Sequence, residues 1–222
     1  MKLPDLHLLE SASLPYLISV PDKGTPAQGW PLLFFLHGYD EGAPMEIQRA
    51  LTANGPLKAE SSTRAVTEFI VAAPQLPLKG DLWYRFEEEV LEVVREVMTT
   101  FPVNRSRAYL TGFSFGGNGV FDLAGQQRGR WAALWAVDPT RVPEEDPGCP
   151  VWLSSGAVSR RQESAFIAAL QLQTISPGEV PDRVYVDKGF DHVGTATDAY
   201  KDDKIYEWLL EKKNSTRAGQ AF

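Results

Sequence analysis

Hydrophobic and polar positions divide this chain into two alternating kinds of segment. The first kind is a short apolar run that stops at a turn residue, as in residues 30–37, which precede Gly38. Such runs are typical of strands that are buried on both faces of a parallel sheet. Strands are predicted at residues 15–20, 30–37, 68–73, 107–111, 131–137, 151–154 and 183–186.

The second kind of segment places apolar residues at helical spacing with charges between them. Residues 86–99 are the clearest example, because Val90, Leu91, Val94 and Met98 fall on one helical face. Helices are predicted at residues 45–53, 86–99, 116–124, 162–172 and 201–213. Strands that alternate with helices indicate an α/β fold, in which a mostly parallel sheet is covered by helices on both faces.

Chain length favours one domain. The 222 residues fit a single α/β domain over 1–222, with a core at about 15–213. The connection 137–151 is too short to form a large lid, so an open pocket is expected. In parallel sheets the active site lies at the carboxyl ends of the strands, so candidate catalytic residues are expected directly after predicted strands.

Composition narrows the class of partner. The formal net charge is -7 and no block of Lys or Arg is present, which disfavours a nucleic-acid partner. The only cysteine, Cys149, has no internal disulfide partner. Residues 1–20 are broken by prolines and acidic residues, unlike a signal peptide, and no apolar run is long enough to span a membrane. We expect a cytoplasmic protein with no membrane partner, and the oligomeric state is left open.

A candidate nucleophile follows the predicted strand 107–111. Gly112, Ser114 and Gly116 form a G-x-S-x-G motif between that strand and a helix, which is the context of a nucleophile elbow. The sharp turn requires glycine beside the serine, since a Cβ would crowd it. The alternative interpretation is a glycine-rich turn that contains an incidental serine.

The base is found by elimination, because serine needs a proton acceptor that works near neutral pH. The chain has three histidines. His7 precedes every predicted strand, and His37 ends a strand beside Gly38. His192 lies in a loop between the last predicted strand and the terminal helix, where the base of an elbow-type hydrolase comes in chain order. Its alternative interpretation is a solvent-exposed loop histidine.

An oxyanion hole needs two fixed N–H donors. The backbone N–H of Phe115, next to the nucleophile, is one candidate, and that of Tyr39 in the loop after strand 30–37 is the other. Gly38 would let this loop turn, and His37 would support it through hydrogen bonds. Aromatic residues that could face a substrate are Tyr39, Trp83, Phe113, Phe115 and Phe190.

The carboxylate that would orient the histidine is the least certain member of the site, because the loop after strand 151–154 contains no Asp. Asp138 is preferred, since it directly follows an apolar strand and precedes a proline. Glu163, Asp187 and Asp191 stay open as alternatives, as does a dyad without a carboxylate. An Asp before Pro is also a common turn initiator.

Taken in order, several segments resemble the α/β-hydrolase superfamily, and more narrowly its bacterial predicted esterase and peptidase branch, near polyhydroxybutyrate-depolymerase-like and feruloyl-esterase-like proteins. They are residues 36–42, 73–75 with Trp83, 107–117 and 189–192. The chain departs from that branch at Ser159, where members usually carry the triad Asp. Asp138 with Pro139 instead resembles the Asp-Pro of pancreatic-type lipases.

The resemblance implies hydrolysis of an ester without a cofactor, and no metal is expected. We predict a serine esterase that acts on small or medium-sized esters through an acyl-enzyme on Ser114. A peptidase or acyltransferase with the same residues is an alternative, as is a degenerate homologue that only binds a ligand. A catalytic thiol at Cys149 is the weakest alternative, because no His lies near it in sequence.

Overall fold

The computed structural model describes residues 5–176 and 180–214, and within these ranges every strand joins one nine-stranded sheet. The strands are β1 (Leu6–Leu9), β2 (Tyr16–Ser19), β3 (Trp30–Leu36), β4 (Ile70–Pro74), β5 (Val103–Phe113), β6 (Ala133–Val137), β7 (Val151–Ser155), β8 (Gln173–Thr174) and β9 (Arg183–Asp187). The helices are α1 (Ile47–Leu51), α2 (Arg64–Glu68), α3 (Glu87–Thr100), α4 (Phe115–Gln126), α5 (Glu163–Leu170), α6 (His192–Ala199) and α7 (Asp203–Glu211).

The sheet is mostly parallel. Its strand order is β1-β2-β4-β3-β5-β6-β7-β9-β8, and only the β1–β2 and β2–β4 pairs are antiparallel. The parallel strands β3, β5, β6, β7 and β9 lie side by side, so their carboxyl ends meet at the same edge of the sheet. Loops that are far apart along the chain therefore converge at this edge.

Two apolar layers explain the unbroken runs of the sequence. Alternate residues of β3 enter different cores, with Leu32 and Phe34 on one face and Leu33 and Phe35 on the other. The first face packs against α3, α4 and α5, and the second against α1, α2, α6 and α7. A strand that is covered on both faces has no polar side, so it reads as a continuous apolar segment.

Most predicted elements are present, and the differences involve short polar ones. Strand β1 was not predicted, and His7 lies on it rather than before the sheet. Helix α2 was also not predicted, and it includes Glu68, which the pattern placed on a strand. His192 is the first residue of α6 rather than a loop residue. These elements lack a long apolar run, so tertiary contacts decide them. None of the described helices is long and apolar enough to cross a membrane.

Candidate active site

Ser114 occupies a strained turn between β5 and α4. Its φ of 57° and ψ of -115° lie outside the conformations that serine ordinarily adopts. A Cβ on Gly116 would lie 1.9 Å from the carbonyl oxygen of Leu36, and a Cβ on Gly112 would lie 2.4 Å from the carbonyl oxygen of Gly116. Both glycines of the motif are therefore required by close backbone packing, and the serine projects at the tip of the turn.

His192 reaches this serine from the other side of the edge. Its Nε2 lies 2.9 Å from Ser114 Oγ, although 78 positions separate the two residues in the chain. Asp191 caps α6 by accepting a hydrogen bond from the N–H of Gly194 at 2.7 Å, which sets the start of the helix at the histidine. The imidazole also packs on the ring of Phe113, with centroids 4.6 Å apart.

Asp138 completes a line of hydrogen bonds. It follows β6 with a positive φ of 40°, is fully buried, and places Oδ2 2.6 Å from His192 Nδ1. Burial alone would raise the pKa of the Asp138 carboxyl, but hydrogen bonds from His192 and Ser159 outweigh it, and the net pKa is lowered. The group is therefore a carboxylate at neutral pH.

The direction of each hydrogen bond follows from this charge. A carboxylate only accepts, so His192 carries a proton on Nδ1 and donates it to Asp138. Nε2 is then unprotonated and accepts from the hydroxyl of Ser114. In this tautomer the imidazole is able to take the serine proton as the oxygen attacks an electrophile.

The other carboxylates that the sequence left open do not reach His192. Glu163 is exposed at the start of α5. Asp187 forms an ion pair with Arg160, whose hydrogen bond lowers the pKa of the aspartate. Asp191 is occupied as the cap of α6. Among the four candidates, the structure brings only Asp138 to the histidine.

Ser159 and two groups behind it extend the hydrogen-bond line, and sequence reasoning missed this. Asp138 Oδ1 accepts from the N–H of Ser159 at 2.8 Å and from its hydroxyl at 2.6 Å. The Oγ of Ser159 lies 2.9 Å from that of Ser155, to which the hydroxyl of Tyr185 donates at 3.1 Å. The N–H of Gly156 also donates to Oδ1, at 2.9 Å. The available sequence signal was a serine at position 159 in place of an aspartate, because this serine donates a hydrogen bond to Asp138.

Two backbone N–H groups stand free beside the serine. Phe115 is the first residue of α4, and Tyr39 opens the 3₁₀ helix Tyr39–Glu41. Within the described part of the chain, neither N–H has a backbone or side-chain acceptor. The two loops are in contact, since the rings of Tyr39 and Phe115 meet edge to face with centroids 5.1 Å apart. This pairing offers two donors to a developing negative oxygen.

His37 holds the first of these loops. Its Nε2 accepts from the N–H of Leu76 at 3.0 Å, so its proton lies on Nδ1, which donates to the carbonyl oxygen of Gly38 at 2.7 Å. Burial lowers the pKa of His37 from 6.5 to about 4, which keeps the ring neutral at pH 7. The indole N–H of Trp83 donates to the carbonyl oxygen of His37 at 3.0 Å.

The aromatic residues divide into buried and exposed groups. Trp83 is 1% exposed and Phe113 is 4% exposed, so the expectation that they face a substrate is wrong. Trp83 packs against His37, and Phe113 supports His192. Tyr39 and Phe190 are exposed on the loops that carry the candidate site residues.

Cys149 has no features of a nucleophile. It is half-buried, and burial raises the pKa of its thiol to about 12. The thiol is therefore protonated near neutral pH, and only the thiolate attacks.

No protein-family model matches this chain, and no curated protein matches it. Several solved structures, however, superpose on it. A thermostable esterase superposes with a TM-score of 0.69 at 19% identity over 95% of this chain, which spans 63% of that esterase's length. The substrate-bound fluorophosphonate-binding serine hydrolase FphF from Staphylococcus aureus gives 0.67 at 15% identity, with 95% of this chain and 98% of that one covered. The S-formylglutathione hydrolase FrmB from Staphylococcus aureus gives 0.66 at 15% identity, covering 93% and 98%. The chain therefore has the α/β-hydrolase fold.

Proposed function

We propose that this protein is a serine hydrolase that cleaves carboxylic esters through an acyl-enzyme on Ser114. One observation carries the proposal: Asp138, His192 and Ser114 form a continuous line of hydrogen bonds of 2.6 and 2.9 Å. These three side chains lie at the end of β6, at the start of α6 and in the turn between β5 and α4, and these positions are far apart along the chain. The esterases and serine hydrolases with which the fold superposes support the same class of reaction.

The proposed mechanism is two-step acyl transfer. His192 takes the proton of Ser114 through Nε2 as the serine oxygen attacks the ester carbonyl. The N–H groups of Tyr39 and Phe115 stabilise the oxyanion of the tetrahedral intermediate. The intermediate collapses to the acyl-enzyme, and His192 gives the proton to the departing alcohol. Water then attacks the acyl-enzyme by the same route and releases the acid.

The same proposal includes one domain and a substrate of small or medium size. The connection between β6 and β7 has no helix, so nothing in it resembles a lid domain. We propose that residues 15–213 form the core of a single α/β-hydrolase domain. The cytoplasmic location stays a prediction of the sequence.

The alternative of a degenerate homologue that only binds a ligand no longer has the observation that motivated it. It depended on the missing carboxylate at Ser159, and Asp138 supplies a carboxylate to the same histidine. A peptidase or acyltransferase would use the same residues and would differ in its leaving group or acceptor. No contact in the described residues favours either over an esterase.

Covalent labelling and ester turnover test the proposal together. The wild-type protein should react with a fluorophosphonate probe and hydrolyse short 4-nitrophenyl esters, and Ser114→Ala should lose both activities. Ser164→Ala is the matched control, because this serine is exposed on α5 and is not part of the hydrogen-bond line, so both activities should be unchanged. Labelling that persists in Ser114→Ala, or a wild-type protein that neither reacts nor turns over any ester, would refute the assignment.

A further inference from the structure

Glu41 is a buried carboxylate without a cation partner in the described part of the chain. It ends the 3₁₀ helix that begins at Tyr39 and is only 6% exposed. Its Oε1 accepts from the side-chain amide of Asn54 at 2.8 Å. Within the described residues no ion pair or second hydrogen bond reaches this carboxyl group, whereas its neighbour Asp40 is paired with Lys79 at 2.6 Å. Oε2 is not among the fully buried side-chain atoms that lack a partner in the described residues, so this oxygen keeps some contact with solvent and stays available to a substrate group.

The unpartnered oxygen lies next to the candidate nucleophile. A Cβ built on Gly38 would be 2.9 Å from Glu41 Oε2 and 3.4 Å from Ser114 Cβ. The position of this absent Cβ therefore lies within 3.4 Å of both the carboxylate and the serine. A side chain at residue 38 would displace the Glu41 carboxylate, and its absence lets this negative group lie near the reaction centre.

This placement has an electrostatic consequence. Attack by Ser114 creates an oxyanion at the loops of Tyr39 and Phe115, and a nearby carboxylate in a low-dielectric site opposes that charge. A cation on the substrate would offset the opposition and would also supply the missing partner. The acyl carbonyl carbon bonds to Ser114 Oγ and stays there when the alcohol departs, so a substituent on the acyl α-carbon remains beside the serine through both steps of the proposed reaction.

We propose that Glu41 is a specificity-determining residue, whose Oε2 binds a protonated amino group on the α-carbon of the acyl part. The preferred substrates are then α-aminoacyl esters. This inference rests on the proposed esterase function and names its substrate class.

A matched pair of substrates tests it. Methyl L-alaninate and methyl isobutyrate have the same shape and differ by an ammonium in place of a methyl group. Values of kcat/KM at pH 7, obtained by chromatography of the released acids, should favour the alaninate in the wild-type protein. Glu41→Gln keeps an oxygen for Asn54 but removes the charge, and it should lower the alaninate-to-isobutyrate ratio by about tenfold or more.

Asp40→Asn is the control variant, because this adjacent carboxylate is exposed and paired with Lys79, and the ratio should not change. An unchanged ratio in Glu41→Gln would overturn the inference while leaving the esterase function intact. A wild-type protein that hydrolyses neither methyl ester, yet reacts with the fluorophosphonate probe and turns over 4-nitrophenyl esters, would overturn this inference alone.

A second measurement needs no variant and so does not depend on how Glu41→Gln folds. 1-Aminoethylboronic acid and isopropylboronic acid form tetrahedral adducts with an active serine and differ by the same ammonium. The amino compound should inhibit the wild-type protein about tenfold more strongly. Equal or weaker inhibition by the amino compound would overturn the role of Glu41.

Discussion

Replacing Asp138 by Asn is the sharpest test of the proposed catalytic arrangement, because the shape of the side chain is kept and only its charge and hydrogen-bond chemistry change. Oδ1 of Asp138 accepts from the N–H of Gly156 and from both the N–H and the hydroxyl of Ser159. In Asp138→Asn the amide oxygen must take this position, since an NH2 group there would face three donors. The NH2 group is thereby directed at His192 Nδ1.

The consequence is a change of tautomer. An NH2 group donates, so Nδ1 of His192 must accept, and the ring proton moves to Nε2. That nitrogen lies 2.9 Å from Ser114 Oγ and would then present a proton to the hydroxyl it should deprotonate. In a triad with this geometry the wrong tautomer costs about 10⁴ in kcat, which corresponds to about 5 kcal/mol of activation free energy.

The assay is the steady-state kcat for 4-nitrophenyl acetate, with circular dichroism to verify that the variant is folded. Asp187→Asn is the matched control, because this carboxylate pairs with Arg160 and does not touch His192, and it should lose less than about tenfold. A variant Asp138→Asn that keeps more than a tenth of the wild-type kcat would refute the reasoning. It would mean that His192 works without a carboxylate.

Three further outcomes are expected. The pKa of His37 falls from 6.5 to about 4 on folding, so the unfolded chain binds the proton first as the pH drops, and the free energy of unfolding should fall by about 3 kcal/mol between pH 6.5 and 4. Denaturant titrations over this pH range should show a smaller fall in the free energy of unfolding for His37→Asn. Ser159→Ala removes a hydrogen-bond donor to Asp138, so kcat should fall about tenfold and the acid limb of the kcat–pH profile should move to higher pH. An acid limb at the wild-type pH would mean that the serine has only a structural role. Gly116→Ala should lower the free energy of unfolding by more than about 3 kcal/mol, because its Cβ would overlap the backbone of β3. Gly125→Ala on the same helix has open space for a Cβ, so thermal unfolding should show a free energy of unfolding that is about 0.5–1 kcal/mol higher.

The local features of this protein were readable from the sequence. A strand that is covered on both faces must be apolar throughout, so β3 and β6 are visible as uninterrupted runs. The turn at Ser114 requires glycine on both sides for steric reasons, and this requirement leaves a recognisable motif. His192 was selected as the candidate base because the chain offers few histidines and only one follows the last long strand. Each of these signals lies within a short window of the chain.

Short and polar elements were not readable in this way. Strand β1 lies at the edge of the sheet with an exposed middle, and α6 is only eight residues long and contains Gly194. Their conformations depend on the neighbours they pair or pack with. His192 therefore appeared to be a loop residue, although the cap formed by Asp191 makes it the start of a helix.

Only the tertiary structure decided which carboxylate contacts the histidine. Asp138 and His192 are 54 positions apart, and they meet because β6 and β9 end at the same edge of one parallel sheet. Four acidic residues were candidates from the chain, and three are already paired, capping or exposed once the chain folds. That Glu41 is buried without a cation among the described residues is likewise invisible in sequence, because burial and neighbours are properties of packing. Sequence determines which groups can do the chemistry, since that depends on residue type and local turns, whereas long-range strand order determines which of them meet.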